Sequence, residues 1–205
     1  IESGSGDEVF GSTVLVAASA EVDWTYAPHS LGSIGPRRRI DMASGGDTVV
    51  VYEDDAGRSV VTALTSSGTE QWSRSYGDGS GGVPDVRAVA RGGGDLWVAG
   101  TAAHPRVQFA RVDPQTGVDR QVLAPALDLD VLAVTVAGDD LCVGGLDGFA
   151  RQETRDLVLA RVDGAGKVLW SQIAGPPVPP NTDPESGPIL LAVAAPPSGV
   201  GCCLT

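Results

Sequence analysis

The sequence predicts an all-β protein built from repeated four-stranded antiparallel sheets, and three observations support this. Tryptophans recur in similar contexts, at intervals of 48 and 98 residues, at Trp24, Trp72 and Trp170. Glycines recur every 49 residues at Gly68, Gly117 and Gly166. They lie four residues before Trp72, Gln121 and Trp170. The 28 Gly and 14 Pro favour strands joined by turns. Self-similarity at a period of about 49 residues indicates a β-propeller whose blades are these sheets.

One unit shows the four strands of a blade most clearly. Val131 to Ala137 alternates and is rich in β-branched residues, as strands are. Gly138-Asp139-Asp140 follows as a tight turn, because Gly and Asp accept the backbone angles that turns require. The remaining predicted elements are strands at 141–145, 156–162 and 167–173, a polar loop at 147–155 and a turn at 163–166. These elements make one sheet of blade size.

Other segments repeat this plan. The tetrapeptide Ala110-Arg111-Val112-Asp113 recurs literally at 160–163. We predict one propeller domain over 1–205, with blades at about 37–80, 84–125 and 130–175 and partial blades at 1–30 and 187–205. The partial blades carry predicted strands at 13–18, 21–26, 189–195 and 200–204.

Two readings of the ends follow from these partial blades. The two halves could complete one blade and close a four-bladed ring, which would cover otherwise open strand edges. Alternatively, the chain is a piece of a larger propeller. Propellers usually have about four to eight blades, and this chain stops within an apparent strand. The sequence therefore favours the fragment over the closed ring.

The charge balance bears on possible partners. The chain has 14 basic and 26 acidic residues and a net charge of −12. A nucleic-acid binder needs a basic surface, and the one basic run is Arg37-Arg38-Arg39. The sequence contains no run of about 18 apolar residues, which a membrane-spanning helix would need. We therefore expect no nucleic acid and no membrane-spanning segment.

The three cysteines give no metal or redox motif. Cys142 stands alone and Cys202 and Cys203 are neighbours, without a C-x-x-C spacing. Cys142 and Cys202 fall at equivalent strand positions in successive units. Equivalent positions need not be within disulfide reach, so we expect buried small hydrophobic side chains rather than a disulfide bond.

Residues 156–175 resemble the bacterial seven-bladed-type β-propeller repeat that is found in secreted and envelope proteins. The strand ending Ala160-Arg161-Val162-Asp163, the Gly turn and the strand around Trp170 match its first half. Ala88-Val-Ala90 with Gly94-Asp95, and Ala192-Val-Ala194 with Ser198-Gly199, match its second half. Gln121 replaces Trp in one unit, and Kelch and quinoprotein propellers are similar too. The resemblance implies an exported propeller, extracellular or in the cell envelope, without a catalytic motif.

Several polar residues are candidates for a metal site, but turns without a metal explain the aspartates better. Asp47, Asp95 and Asp140 share one repeat position, yet calcium needs about six to eight oxygens in one place. Equivalent turns lie far apart around a ring, and turns favour Asp without any metal. His29 and His104 lack further zinc ligands near them in the sequence. We expect no metal and no cofactor.

The tryptophans are expected to pack between blades, because their neighbours are apolar and they repeat. Trp97 alone leaves the register, in a second strand. Stacking on a sugar or a quinone is the alternative for such residues. Trp97 is the one aromatic residue worth testing, with a core position favoured.

The loops from second to third strands vary while the strands repeat, as expected of a recognition surface. We predict a non-enzymatic scaffold, a monomer or part of a longer chain, that binds a protein or glycan there. The predicted binding residues are Glu53, Asp54, Asp55, His104, Arg106, Asp147 and Arg151. The alternative is a lyase, hydrolase or quinone-dependent oxidoreductase with a central-channel site. That alternative needs converging titratable groups, and the channel-lining strands offer only Asp41 and Arg87.

Overall fold

A computed structural model describes residues 14–15, 25–26, 41–43, 48–54, 56–77, 83, 85–101, 106–147, 156–173, 193–194 and 203–204. The regular elements in these residues are β-strands, which form three four-stranded and two two-stranded antiparallel sheets. Within these segments no helix has the length and apolar character needed to cross a bilayer. The predicted all-β class is confirmed.

The three four-stranded sheets are the complete blades. Blade 1 contains β3 (Asp41–Ala43), β4 (Thr48–Glu53), β5 (Ser59–Leu64) and β6 (Glu70–Tyr76). Blade 2 contains β7 (Val86–Gly92), β8 (Asp95–Thr101), β9 (Val107–Val112) and β10 (Asp119–Leu123). Blade 3 contains β11 (Asp130–Ala137), β12 (Asp140–Asp147), β13 (Asp156–Val162) and β14 (Val168–Ile173).

Two short hairpin sheets lie towards the ends of the chain. β1 (Val14–Leu15) pairs with β2 (Thr25–Tyr26), and β15 (Val193–Ala194) pairs with β16 (Cys203–Leu204). These strands fall within the strands that the repeat predicts there.

Each blade places its strands in chain order, with β3, β7 and β11 as first strands. β7 contacts both β3 and β11, and β15 contacts β11. The first strands therefore stand side by side, and the fourth strands β6, β10 and β14 lie outermost, where many of their residues are exposed. Successive four-stranded antiparallel sheets with adjacent first strands are the architecture of a β-propeller.

Two apolar layers between blades make up much of the core that the described residues form. One layer packs blade 1 against blade 2, and the other packs blade 2 against blade 3. Alternation along a strand explains the division. On β8, Leu96 and Val98 belong to the first layer, and Trp97 and Ala99 belong to the second. Blade 2 therefore buries both of its faces.

One repeat tryptophan packs between blades as predicted. Trp72 on β6 lies against the layer between blades 1 and 2, and its Nε1–H donates to the carbonyl of Pro114 in blade 2 at 2.9 Å. Gly117 in the same turn has φ 70°, and a Cβ there would lie 2.6 Å from Cε3 of Trp72. Gly117 is thus needed both for the turn and for the close approach of the indole.

The expectation for Cys142 is wrong, because this residue is disulfide-bonded. The chain has only two other cysteines, Cys202 and Cys203, so its partner is one of these. Leu141 and Val143 belong to the layer facing blade 2, so Cys142 between them faces the opposite side. β15 contacts β12. The disulfide therefore fastens blade 3 to the C-terminal segment, an arrangement that depends on packing and is not visible in the spacing of the cysteines.

Candidate functional site

The blades differ in chemistry at one cross-strand position. Three equivalent pairs join the second and third strands: Val49–Ala63, Trp97–Arg111 and Cys142–Arg161. Strand alternation turns the second-strand member of each pair towards the following blade. The same position thus holds an apolar contact in blade 1, an aromatic–cation pair in blade 2 and a disulfide cysteine in blade 3.

The pair in blade 2 is held firmly in place. The Arg111 guanidinium carbon lies 5.8 Å from the centroid of the Trp97 ring, which is within the range of a cation–π contact. Arg111 Nε donates to Asp95 Oδ2 at 2.6 Å, and Nη2 lies 2.5 Å from the same oxygen. Trp97 is only 5% exposed, whereas the Arg111 side chain is 41% exposed. The predicted core position of Trp97 is confirmed. Its ring also contacts the guanidinium of Arg111, which is exposed to solvent.

Asp95 belongs to a four-membered ion-pair network. Its side chain is 3% exposed, and its other oxygen, Oδ1, accepts from Nη1 of Arg120 at 2.6 Å. Nη2 of Arg120 reaches Asp113 Oδ2, also at 2.6 Å. The network thus contains two carboxylates, Asp95 and Asp113, and two guanidinium groups, Arg111 and Arg120. Their charges cancel, so the buried carboxylate of Asp95 is neutralised by its partners.

The turn acid Asp113 is held in its charged form. The hydrogen bond from Arg120 lowers the pKa of Asp113, and the backbone N–H groups of Gln115 and Thr116 add to that effect. The hydrogen bond to Asp113 in turn raises the pKa of Arg120. Both groups therefore remain ionised across the neutral range and fix the turn beside β9.

A cleft of about 170 Å³ opens beside the Trp97–Arg111 pair, between blades 2 and 3. Blade 3 contributes Val136 from β11 and Asp139 from the following turn. The rest of the wall includes glycines from three turns, Gly92, Gly93, Gly138 and Gly164. Gly93 and Gly138 have positive φ and no neighbour within 4 Å of a hypothetical Cβ. Gly93 and Gly138 therefore leave open backbone beside the cleft, whereas a Cβ at Gly92 would clash with the side chain of Val136.

The cleft and the predicted loops lie on opposite faces of the propeller. The cleft is bordered by turns that join first to second and third to fourth strands, around Gly92, Gly138 and Gly164. The predicted recognition loops join second to third strands. In an antiparallel sheet, these two kinds of connection leave from opposite ends of the strands.

Asp54 has a structural role within its loop. It is 4% exposed, and its Oδ1 accepts the backbone N–H groups of Ala56 and Arg58 at 2.9 Å. Its Oδ2 accepts Nε of Arg58 at 2.8 Å. Burial alone would raise the pKa of Asp54, but the hydrogen bonds from Arg58 and Ala56 lower it overall. Asp54 therefore shapes the loop between β4 and β5.

The other described loop residues lie at strand ends. Glu53 ends β4 opposite Ser59, and Asp147 ends β12 opposite Asp156. Arg106 is exposed and forms an isolated bridge with Asp128 before β9. Among the described residues, no hydrogen bond or ion pair joins Glu53, Arg106 and Asp147. Asp55, His104 and Arg151 lie outside the described residues, so the loop site remains a prediction.

The repeated acids pair with arginines in their own blades. Asp140 accepts Nε of Arg161 at 2.7 Å, which corresponds to the Asp95–Arg111 pair in blade 2. Asp47 and both histidines lie outside the described residues. No cluster of three or more potential metal ligands occurs in the part of the chain that the structure describes.

Arg87, one of the two charged residues predicted to line a central channel, also forms an ion pair. Nη2 of Arg87 lies 2.6 Å from Oδ2 of Asp85, and Arg87 occupies the register shift between Val86 and Ala88 on β7. The side chain of Asp41 lies outside the described part of the structure. Convergence of Asp41 and Arg87 therefore stays untested.

The comparisons with known proteins concern the fold. No family model and no curated protein matches this sequence. A protein of unknown function from Bacteroides caccae is similar in structure, with a TM-score of 0.51 and 14% identity over 77% of this chain and 52% of its own. BamB from Moraxella catarrhalis gives a TM-score of 0.36 and 16% identity over 71% of this chain and 51% of its own. The chain spans about half the length of these structures, and at such identities the likeness concerns the fold alone.

Proposed function

We propose that this chain is a non-enzymatic, exported scaffold of the bacterial secreted-type propeller repeat, which binds a protein or glycan through its second-to-third-strand loops. One observation carries the proposal. The charges that repeat from blade to blade, Asp95 with Arg111 and Asp140 with Arg161, bind one another. Repeated charges thus serve the fold, and the residues that differ between blades are left for recognition.

The loops have the properties that recognition requires. Asp54 and Arg58 hold the loop after β4 in one conformation, while Arg106 and Asp147 at the other two loops are exposed. A preorganised loop loses less conformational entropy when it binds a ligand. These features support a rigid scaffold that presents variable side chains.

The disulfide at Cys142 supports the exported part of the proposal. Disulfide bonds form and persist in oxidising compartments outside the cytoplasm and are rare within it.

Binding can be tested with a printed array of glycans and a parallel array of peptides. The test variant combines Glu53→Ala, Arg106→Ala and Asp147→Ala. The matched control is Lys167→Ala, an exposed charge in a turn on the opposite face. We expect the unmodified chain to bind at least one array feature, the triple variant to lose tenfold or more, and the control to bind as before. Arrays without any bound feature, or binding that the triple variant leaves intact, would refute the proposal.

A further inference from the structure

The cleft between blades 2 and 3 is a second site, separate in residues and in face from the loops of the proposed function. We propose that it binds one neutral sugar ring, as a terminal residue or branch of a glycan. The size of the cleft, its donor and acceptor groups and its charge balance lead to that ligand class.

The size of the cleft limits the ligand to a small group. Its volume of about 170 Å³ corresponds to a few water molecules, at about 30 Å³ each in liquid water. Pockets for drug-sized ligands measure about 300–1,000 Å³. The walls combine Trp97 and Val136 with the open backbone of Gly93 and Gly138. A single ring with a C–H face fits such a space, and a folded peptide segment does not.

The polar groups both donate and accept hydrogen bonds. Arg111 donates from Nε and Nη2 to Asp95, and its Nη1 donates no hydrogen bond within the described residues. Across the cleft, the exposed carboxylate of Asp139 can only accept. A sugar hydroxyl does both, so adjacent hydroxyls can accept from Arg111 and donate to Asp139.

The charge around the cleft selects against ions. Asp95 and Asp113 balance Arg111 and Arg120, and Asp139 adds one negative charge, which disfavours an anion. The guanidinium of Arg111 already lies over the Trp97 ring, so it occupies the place of a cation–π contact with a cationic ligand and repels that ligand. A neutral polyol avoids both penalties.

The site is also preorganised. Asp95, at 3% exposure, fixes the guanidinium plane of Arg111 through two nitrogens, and both residues stand on strands of one blade. Groups on rigid strands keep their geometry better than groups on loops. The equivalent pair in blade 3 is Cys142–Arg161, in which a cysteine stands in the place of Trp97, and this makes Arg161 a matched control position.

The test is saturation-transfer NMR and calorimetric titration of the whole chain with four neutral sugars, D-glucose, D-galactose, D-mannose and N-acetyl-D-glucosamine. D-glucuronic acid and D-glucosamine are the charged comparators. The variants are Arg111→Lys, which keeps the charge but loses the planar fork, and the control Arg161→Lys. We expect at least one neutral sugar to bind with a millimolar Kd, a loss of tenfold or more in Arg111→Lys, and no change in Arg161→Lys.

Three outcomes would overturn the proposal: no neutral sugar binds, a charged sugar binds more tightly, or both lysine variants behave alike. If Arg111→Lys fails to fold, Asp139→Asn in the exposed turn replaces it and must also weaken binding. The triple loop variant with Glu53→Ala must leave sugar binding unchanged. Failure of the loop site and failure of the cleft are therefore distinguishable.

Discussion

The contact between blade 1 and the β9–β10 turn of blade 2 allows a quantitative test of blade packing. Gly117→Ala and Gly138→Ala both place a side chain at positive φ, 70° and 67° respectively. That backbone conformation costs an L-residue about 1–2 kcal/mol. Only at Gly117 does the new Cβ meet a neighbour, 2.6 Å from Cε3 and 2.7 Å from Cδ2 of Trp72, whereas Gly138 has open space around it.

Overpacking typically costs about 1–3 kcal/mol. We therefore expect Gly138→Ala to lower the free energy of unfolding by about 1–2 kcal/mol and Gly117→Ala by about 2–5 kcal/mol. Urea unfolding followed by far-UV circular dichroism measures both, because this signal reports mainly the β-strands and less the tryptophan environment. Equal slopes of the urea dependence would show that stability itself has changed.

A double-mutant cycle with Trp72→Ala identifies the source of the difference. Removing the indole removes the clash, so Gly117→Ala should cost only about 1–2 kcal/mol in that background. Equal losses for the two glycine variants, or additive losses in the cycle, would refute the packing of Trp72 on this turn.

Three further perturbations test other parts of the structure. In the unfolded but unreduced protein, thiol titration should find one reactive cysteine of three, and Cys142→Ser should lower the free energy of unfolding by about 4 kcal/mol, as a closed loop of about 60 residues predicts; three reactive thiols would contradict the disulfide. The lowered pKa of Asp54 means that its charge stabilises the fold above its ordinary value of 3.8, and that this contribution is lost as the pH falls through the lower folded-state pKa. The melting temperatures of Asp54→Asn and the unmodified protein should therefore converge between about pH 5 and pH 2, and a difference independent of pH would count against this role. Asp95→Ala leaves two arginines without their shared buried carboxylate, so it should cost about 2–3 kcal/mol, against about 1 kcal/mol for the more exposed Asp140→Ala; thermal melts that rank the pair the other way would contradict the network.

Much of the fold can be predicted from local patterns. Alternation over 131–137 and turn residues such as Gly166 indicate strands and their ends, because both depend on a few neighbouring residues. The packing of Trp72 between blades follows from its recurrence at the repeat interval. The literal repeat around Arg111 and Arg161 is also visible, although its pairing with the acids at the start of the second strands requires the strand register.

The cleft could not be predicted in the same way. It brings together Trp97, Val136 and Asp139 with a glycine from a third turn, and these residues meet only because blade 3 packs against blade 2. Trp97 was visible as a tryptophan out of register, but nothing in the sequence showed that Arg111 lies over its ring. Cys142 presents the same problem, since its partner comes from a segment about 60 residues away whose packing the spacing does not reveal.

The division of the core into two layers has a consequence for native-state opening. Among the described residues the two layers share no member, and blade 2 contributes to both. Separation of blade 1 from blade 2 breaks one layer and separation of blade 3 from blade 2 breaks the other, whereas blade 2 loses both neighbours only when both layers are broken. Amide hydrogens on β8 and β9 should therefore exchange with solvent last, at rates that approach global unfolding, while those of β4 and β12 exchange through smaller openings. Blade 2 would then be the slowest-exchanging unit, because it has a neighbour on each side. The stability of units in repeat proteins depends on such neighbour interfaces in the same way.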